Sequence, residues 1–184
     1  MNNVLTNPYT GQRLEILRSG DGTAGELLVM RSTLEPGSRP PAPHYHPAQT
    51  EYFRVEQGEI VVRIHGRTQV HRAGDELHIP AGVVHGMWNA GTTAAVLHWE
   101  TRPALRTEAF LRNAFGLAAA GRVTAQGTPT LLQASLLLPR FAAEYRLASP
   151  PAWLLRILFG LLAPLARLRG LKAEYPEFSG PYEG

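Results

Sequence analysis

The chain contains no cysteine, which excludes disulfides, thiolate metal ligands and a cysteine nucleophile. Any metal site must therefore be assembled from nitrogen and oxygen donors. Lysine is nearly absent as well: Lys172 stands alone against 17 arginines. The arginines are scattered singly rather than gathered in a run or along one helical face, so the net charge of +3 reads as a solvated surface and no nucleic-acid partner is expected. No helix-turn-helix pattern is present. The amino-terminal MNNVLTNPYTGQRLEI has no basic region followed by an apolar run, so no signal peptide is read and a cytoplasmic location is expected. The uncharged stretch ILFGLLAPLA between Arg156 and Arg167 is well short of the about 20 residues that a spanning helix needs.

Against these absences stand two clusters of chemistry-bearing residues. The first is PHYHPAQTEYFRVEQG, with His44 and His46 two residues apart, Glu51 opening a strand-like run, and Gly58 closing it. Side chains in an extended segment repeat every second residue, so both histidines can face one side. The second is GDELHIPAGVVHGMWN, in which Gly74, Pro80 and Gly82 lead to His85 and then Asn89. Gly and Pro mark the turn that aims His85. Three imidazoles and one carboxylate suit a borderline divalent metal, Fe, Mn, Ni, Cu or Zn, with positions left for water or substrate.

At these residues the chain resembles the cupin superfamily. Its first motif, a glycine followed by HxH, Glu and Gly, is met by Gly37, His44, His46, Glu51 and Gly58, with Gly37 one residue further from the first histidine than usual. Its second motif, G, five residues, PxG, two residues, H, three residues, N, is matched in full by Gly74, Pro80, Gly82, His85 and Asn89. The resemblance covers about residues 27 to 101. It implies a mainly β fold, the cupin-type double-stranded β-helix or jelly-roll barrel, holding one divalent transition metal per chain on His44, His46, Glu51 and His85. It also implies a homodimer and a small-molecule ligand or substrate.

Short runs separated by turns predict strands at Arg13 to Leu17, Gly25 to Leu34, Glu51 to Val55, Glu59 to His65, Thr68 to His71, Glu76 to Ile79 and Ala94 to Thr101. The proline-rich EPGSRPPAP between the second and third reads as the loop delivering His44. If Glu51 points inward, Phe53 and Val55 do too, and Tyr52, Arg54 and Glu56 point away. Phe53 and Val55 thus become substrate-pocket candidates, together with Met87 and Trp88 after His85. Parity alone does not decide which face of Glu76 to Ile79 is inside, nor that of the last strand, so His78 and His98 stand as further pocket candidates against a surface placement.

After Pro103 the pattern turns helical. A division into a barrel at 1–103 and a helical extension at 104–184, packed on the barrel or at a dimer interface, is expected. Helices are predicted over 104–121, over 131–147 with a break at Pro139, and after Ser149. The third, through AWLLRILFGLLAPLARLRG, is apolar nearly all round, and three placements suit it: against the barrel, at a dimer contact, or in a membrane interface through 152–169 with its arginines outward. No membrane crossing is expected. The tail KAEYPEFSGPYEG carries three aromatics that would wrap an existing surface. These features point to a metal-dependent, dioxygenase-like oxidoreductase acting on a small, oxygenated, largely apolar substrate, with Glu51 as fourth ligand or as base. A non-catalytic metal-dependent small-molecule binder and a metal-dependent isomerase or lyase are the alternatives, the last requiring positive charge from Arg54, Arg63 or Arg72 at the cavity.

Overall fold

In a computed structural model, which describes residues 3–179, the chain forms two antiparallel sheets facing one another. The first has the order β1 (Val4–Thr6), β2 (Arg13–Arg18), β3 (Leu28–Leu34), β10 (Ala95–Arg102), β5 (Thr50–Gln57), β8 (Glu76–Ile79). The second runs β11 (Arg146–Leu147), β4 (His44–Tyr45), β9 (His85–Trp88), β6 (Glu59–Ile64), β7 (Arg67–Arg72). Alternation along the strands decides what lies between the sheets. On β5, Glu51, Phe53 and Val55 are buried while Arg54 and Glu56 are exposed, as strand parity requires. Val55 joins Leu34, Ile60, Val62, Ala95 and Leu97 in one apolar cluster that fills the barrel.

Each expected strand is present, with bounds shifted by a few residues at most; β1, β4, β9 and β11 are additional. The turn before β6 needs Gly58: its φ is +73°, and a Cβ there would lie 2.6 Å from the Ala94 carbonyl oxygen. Asn89 likewise organises a loop, its amide donating to the carbonyls of Leu34 (2.9 Å) and Thr93 (2.8 Å) and its Oδ1 accepting from the Gly91 N–H.

Three longer helices follow: α1 (Thr107–Ala119), α2 (Leu131–Arg140) and α3 (Ala152–Leu168), with a short α4 (Pro176–Ser179) at the end. The helix expected over 131–147 is corrected. It starts on its Thr130 cap but ends at Arg140, because Phe141 turns into the core formed with Ala109, Leu117, Leu137 and Tyr175. The chain then extends, and β11 pairs with β4, Arg146 opposite Tyr45 and Leu147 opposite His44. A second join is made by Gln49, which is buried and donates to the carbonyls of Pro103 and Ala104 and to Thr107 Oγ1. Of the tail aromatics, Tyr175 is fully buried, its hydroxyl donating to Gln133 Oε1 at 2.7 Å; Tyr182 lies outside the described residues.

Glu174 clamps this helical part. It accepts two 2.7 Å hydrogen bonds from Arg106, just before α1, and one of 3.2 Å from Arg140 at the end of α2. Burial would raise its pKa, but the two guanidinium groups outweigh that and hold it below the ordinary 4.5. A carboxylate depressed in the folded state stabilises the fold above its unfolded pKa and loses that contribution as pH falls through the folded value. Glu174→Gln is therefore expected to lower the thermal midpoint at neutral pH, and the gap to the parent chain should close progressively below about pH 4.5. A gap independent of pH in thermal unfolding would remove the ionic origin.

Candidate metal centre

The three histidines arrive from one sheet and the carboxylate from the other. His44 on β4 lies directly opposite His85 on β9, and His46 follows two residues later, on the same side. Glu51 projects from β5 across the barrel interior. The Gly82 N–H donates to the His46 carbonyl at 2.8 Å, tying the turn of the second motif to the first. Ring centroids of His44 and His85 are 4.5 Å apart, and those of His46 are 5.3 Å from each. Each imidazole offers one nitrogen to a group whose members lie within 4.8 Å of one another. Glu51 Oε2 approaches two of these rings, 3.2 Å from His46 Nε2 and 3.0 Å from His85 Nε2.

The hydrogen bonds on the far side of the rings decide what the near side can do. His44 Nδ1 meets the Ala42 carbonyl at 3.0 Å, His46 Nδ1 the Glu144 carbonyl at 2.6 Å and His85 Nδ1 the Val83 carbonyl at 3.0 Å. A carbonyl only accepts, so each Nδ1 carries the proton and, in the neutral ring, each Nε2 presents a bare lone pair. A ring N–H bonded to a carbonyl is also the usual outer support of a metal-bound histidine. His46 Nε2 and Glu51 Oε2 are both buried and have no hydrogen-bond partner. Acceptors facing one another at 3.0–3.2 Å repel unless a proton or a cation lies among them. The donor set, its tautomers and its orphaned atoms thus fit a divalent metal bound by nitrogen and oxygen.

The electrostatics carry the same message. Burial alone would raise the Glu51 pKa, yet its contacts with His46 and His85 pull it down to about 2, so the carboxylate is ionised. His44 is lowered to about 4 by burial first, then by its two imidazole neighbours. His46 is raised: burial opposes this, and the Glu51 carboxylate overcomes it.

Residues beyond the two motifs complete the surroundings. Trp99 donates its indole N–H to Glu51 Oε1 at 3.0 Å and stacks on Phe53 with centroids 5.5 Å apart. Tyr145 stacks on His44 at 4.7 Å and on Phe110 at 5.0 Å; burial pushes its hydroxyl up to about 12. Of the pocket candidates, Phe53 and Val55 are buried inside the barrel, and Met87 packs against the same apolar cluster. The other three are corrected. Trp88 pairs with Val61 and lies under the Arg63 guanidinium at 5.1 Å on the outer face. His98 is opposite Arg54 and Arg31, facing out, and bonds Glu100 at 3.1 Å. His78 is exposed, because Ile79, paired with Glu51, takes the inner side of β8; it lines an outer depression of about 290 Å³ with Thr50, Glu51, Tyr52, Glu100 and Arg102. Trp99, Glu144 and Tyr145 were not singled out from sequence. Trp99 was legible by parity, since it sits opposite Phe53, whereas nothing in the motifs points to residues 144 and 145.

The match to a known family agrees with the fold. Residues 30–100 match the family model described as a cupin domain. A Hypocrea virens protein named "Probable oxidoreductase virH" is 29% identical over 184 residues, covering 89% of this chain and 80% of that one. Oxalate oxidase 1 of Hordeum vulgare is 36% identical over 86 residues, 42% of each chain, so this chain spans less than half the length of that relative. A solved structure of a predicted oxalate decarboxylase from Thermotoga maritima is 25% identical with a TM-score of 0.48, covering 50% of this chain and 80% of that chain.

If Trp99 holds Glu51 in place, Trp99→Phe keeps the stack on Phe53 and removes only the N–H. Titration calorimetry with Mn(II) or Co(II) should then read an affinity lower by about 10–100-fold. An unchanged affinity would show that Glu51 needs no such support.

Proposed function

We propose that this chain, whose residues 30–100 match the cupin domain, is a mononuclear metal-dependent oxidoreductase of dioxygenase-like chemistry acting on a small oxygenated substrate with an apolar body. The observation that carries this reading is the set of three imidazoles with their Nδ1 protons turned outward onto carbonyls and their Nε2 lone pairs turned toward an ionised carboxylate. His44, His46 and His85 would hold the metal, with Glu51 as fourth donor. The metal, one of Fe, Mn, Ni, Cu or Zn, supplies Lewis acidity and, where redox-active, the electron transfer that O2 chemistry requires.

The protein's own groups do the rest. Phe53, Trp99 and Tyr145 flank the polar cluster with aromatic surface, which excludes water from the reacting groups and accepts an apolar substrate body. Glu51 is held through Oε1 by Trp99, which would leave Oε2 in reach to accept a proton from a substrate bound beside it. The name of the Hypocrea virens relative, which aligns across the helical part as well as the barrel, and that of the barley oxidase support an oxidoreductase. A phosphate-handling isomerase is disfavoured by the arginines it would need: Arg54, Arg63 and Arg72 are all exposed, Arg54 bonded to Glu56 and Arg72 paired with Glu59 on the surface.

Protein purified anaerobically and loaded with Fe(II), Mn(II) or Ni(II) is expected to consume O2 with at least one of oxalate, a β-diketone or a flavonol. The His44→Ala, His46→Ala double variant should lose both turnover and bound metal. Metal binding without turnover on any of these would replace the enzyme by a non-catalytic metal-dependent binder, and equal metal content in parent and variant would overturn the site itself.

A further inference from the structure

Among the described residues, the helix α3 leaves a large apolar face without a partner. Trp153 is 64% exposed, Leu161 73% and Leu168 85%, and Leu154, Ile157 and Leu165 are exposed beside them. At about 100° per residue these six positions form one stripe along the helix. The opposite side, with Phe159 and Ala166 buried, seats the helix on α2. An apolar face this continuous on a chain's surface marks an interaction site.

Charge identifies the partner. Residues 145–173 contain no aspartate or glutamate, while Arg146, Arg156, Arg167, Arg169 and Lys172 fall among them. Arg156 and Arg167 are exposed and lie on the same flank of the stripe, roughly 120–140° round the helix from Leu161. Trp153 sits between that flank and the leucines, where an amphipathic indole meets both media. A second copy is a poor occupant. Two antiparallel α3 helices would set the Arg156 and Arg167 flank against the same flank of the other copy, and a parallel pair finds no carboxylate either, since α3 has none. Among the described residues no helix is long and apolar enough to cross a membrane.

We propose that the exposed face of α3 is a docking surface for an anionic lipid bilayer, with the helix lying in the interface plane, its leucines in the acyl boundary and its arginines at the headgroups. The rest of the chain then sits on the aqueous side, held through α2.

The test uses the full chain with vesicles of phosphatidylcholine alone or containing a quarter phosphatidylglycerol. Sedimentation with the anionic vesicles is expected, falling as salt rises, and with it a blue shift of tryptophan emission quenched by shallowly brominated lipid. Trp153→Phe should remove the shift, because Trp88 and Trp99 lie elsewhere in the fold. Leu161→Glu with Leu168→Glu should weaken partitioning by about tenfold or more, and Arg156→Gln with Arg167→Gln should abolish the preference for anionic vesicles. Thermal midpoints equal to that of the parent show that these exposed substitutions leave the fold intact. No sedimentation with anionic vesicles, or equal partitioning of the double-glutamate variant, overturns the proposal. So does a lipid-free dimer that this variant dissociates while vesicles bind neither form, which assigns the face to a second copy.

Discussion

Three imidazole N–H groups bonded to main-chain carbonyls govern the chemistry of this molecule. Each such bond contributes only about 1 kcal/mol to stability, but each fixes a tautomer and a ring orientation. With Ala42, Val83 and Glu144 occupying the Nδ1 side, the Nε2 side of a neutral ring has nothing to donate, and Glu51 Oε2 faces it as a second acceptor. The barrel supplies the enclosure that keeps water from satisfying those atoms. Remove the carbonyls and the imidazoles could turn, take the opposite tautomer and simply hydrogen-bond to Glu51, leaving an ordinary buried polar cluster.

Much of this arrangement could be read from the chain because it rests on local rules. The two-residue spacing of His44 and His46, the parity linking Glu51, Phe53 and Val55, and the turn chemistry around Gly58 and Gly82 need no knowledge of distant contacts. What escaped depends on pairing. Ile79 takes the inner side of β8 because it registers with Glu51, and that register, set by β5, sends His78 to the surface. Trp88 and Met87 are adjacent and must face opposite ways, yet only the pairing of β9 with β6 says which is which. The strands β4 and β11 are two residues long, too short for any period to register, and the second was hidden in an apolar stretch that favours helix. Residues 141–147 leave that helix because a core position for Phe141 and an edge position beside His44 are available.

The helical part is therefore connected to the site through its backbone as much as by packing. Glu144 offers its carbonyl to His46 and its side chain, 4% exposed, to the N–H of Arg106 at 3.2 Å. The same residue thus bridges the start of α1 and the imidazole cluster. Glu174, Arg106 and Arg140 hold the surrounding helices in register, so the position of one carbonyl beside His46 rests on a network of charged and aromatic contacts well outside the barrel.

The separation of 98 positions between His46 and its acceptor Glu144 has a consequence for how the molecule is made. During synthesis the strands carrying His44, His46, Glu51 and His85 emerge long before the segment that locks His46, so a nascent barrel holds an imidazole free to choose either tautomer. Closing a loop of this length is slow compared with forming the local hairpins. The imidazole cluster becomes organised only when the chain has returned as β11, which makes the fixed orientation of His46 among the last properties the protein acquires as it folds.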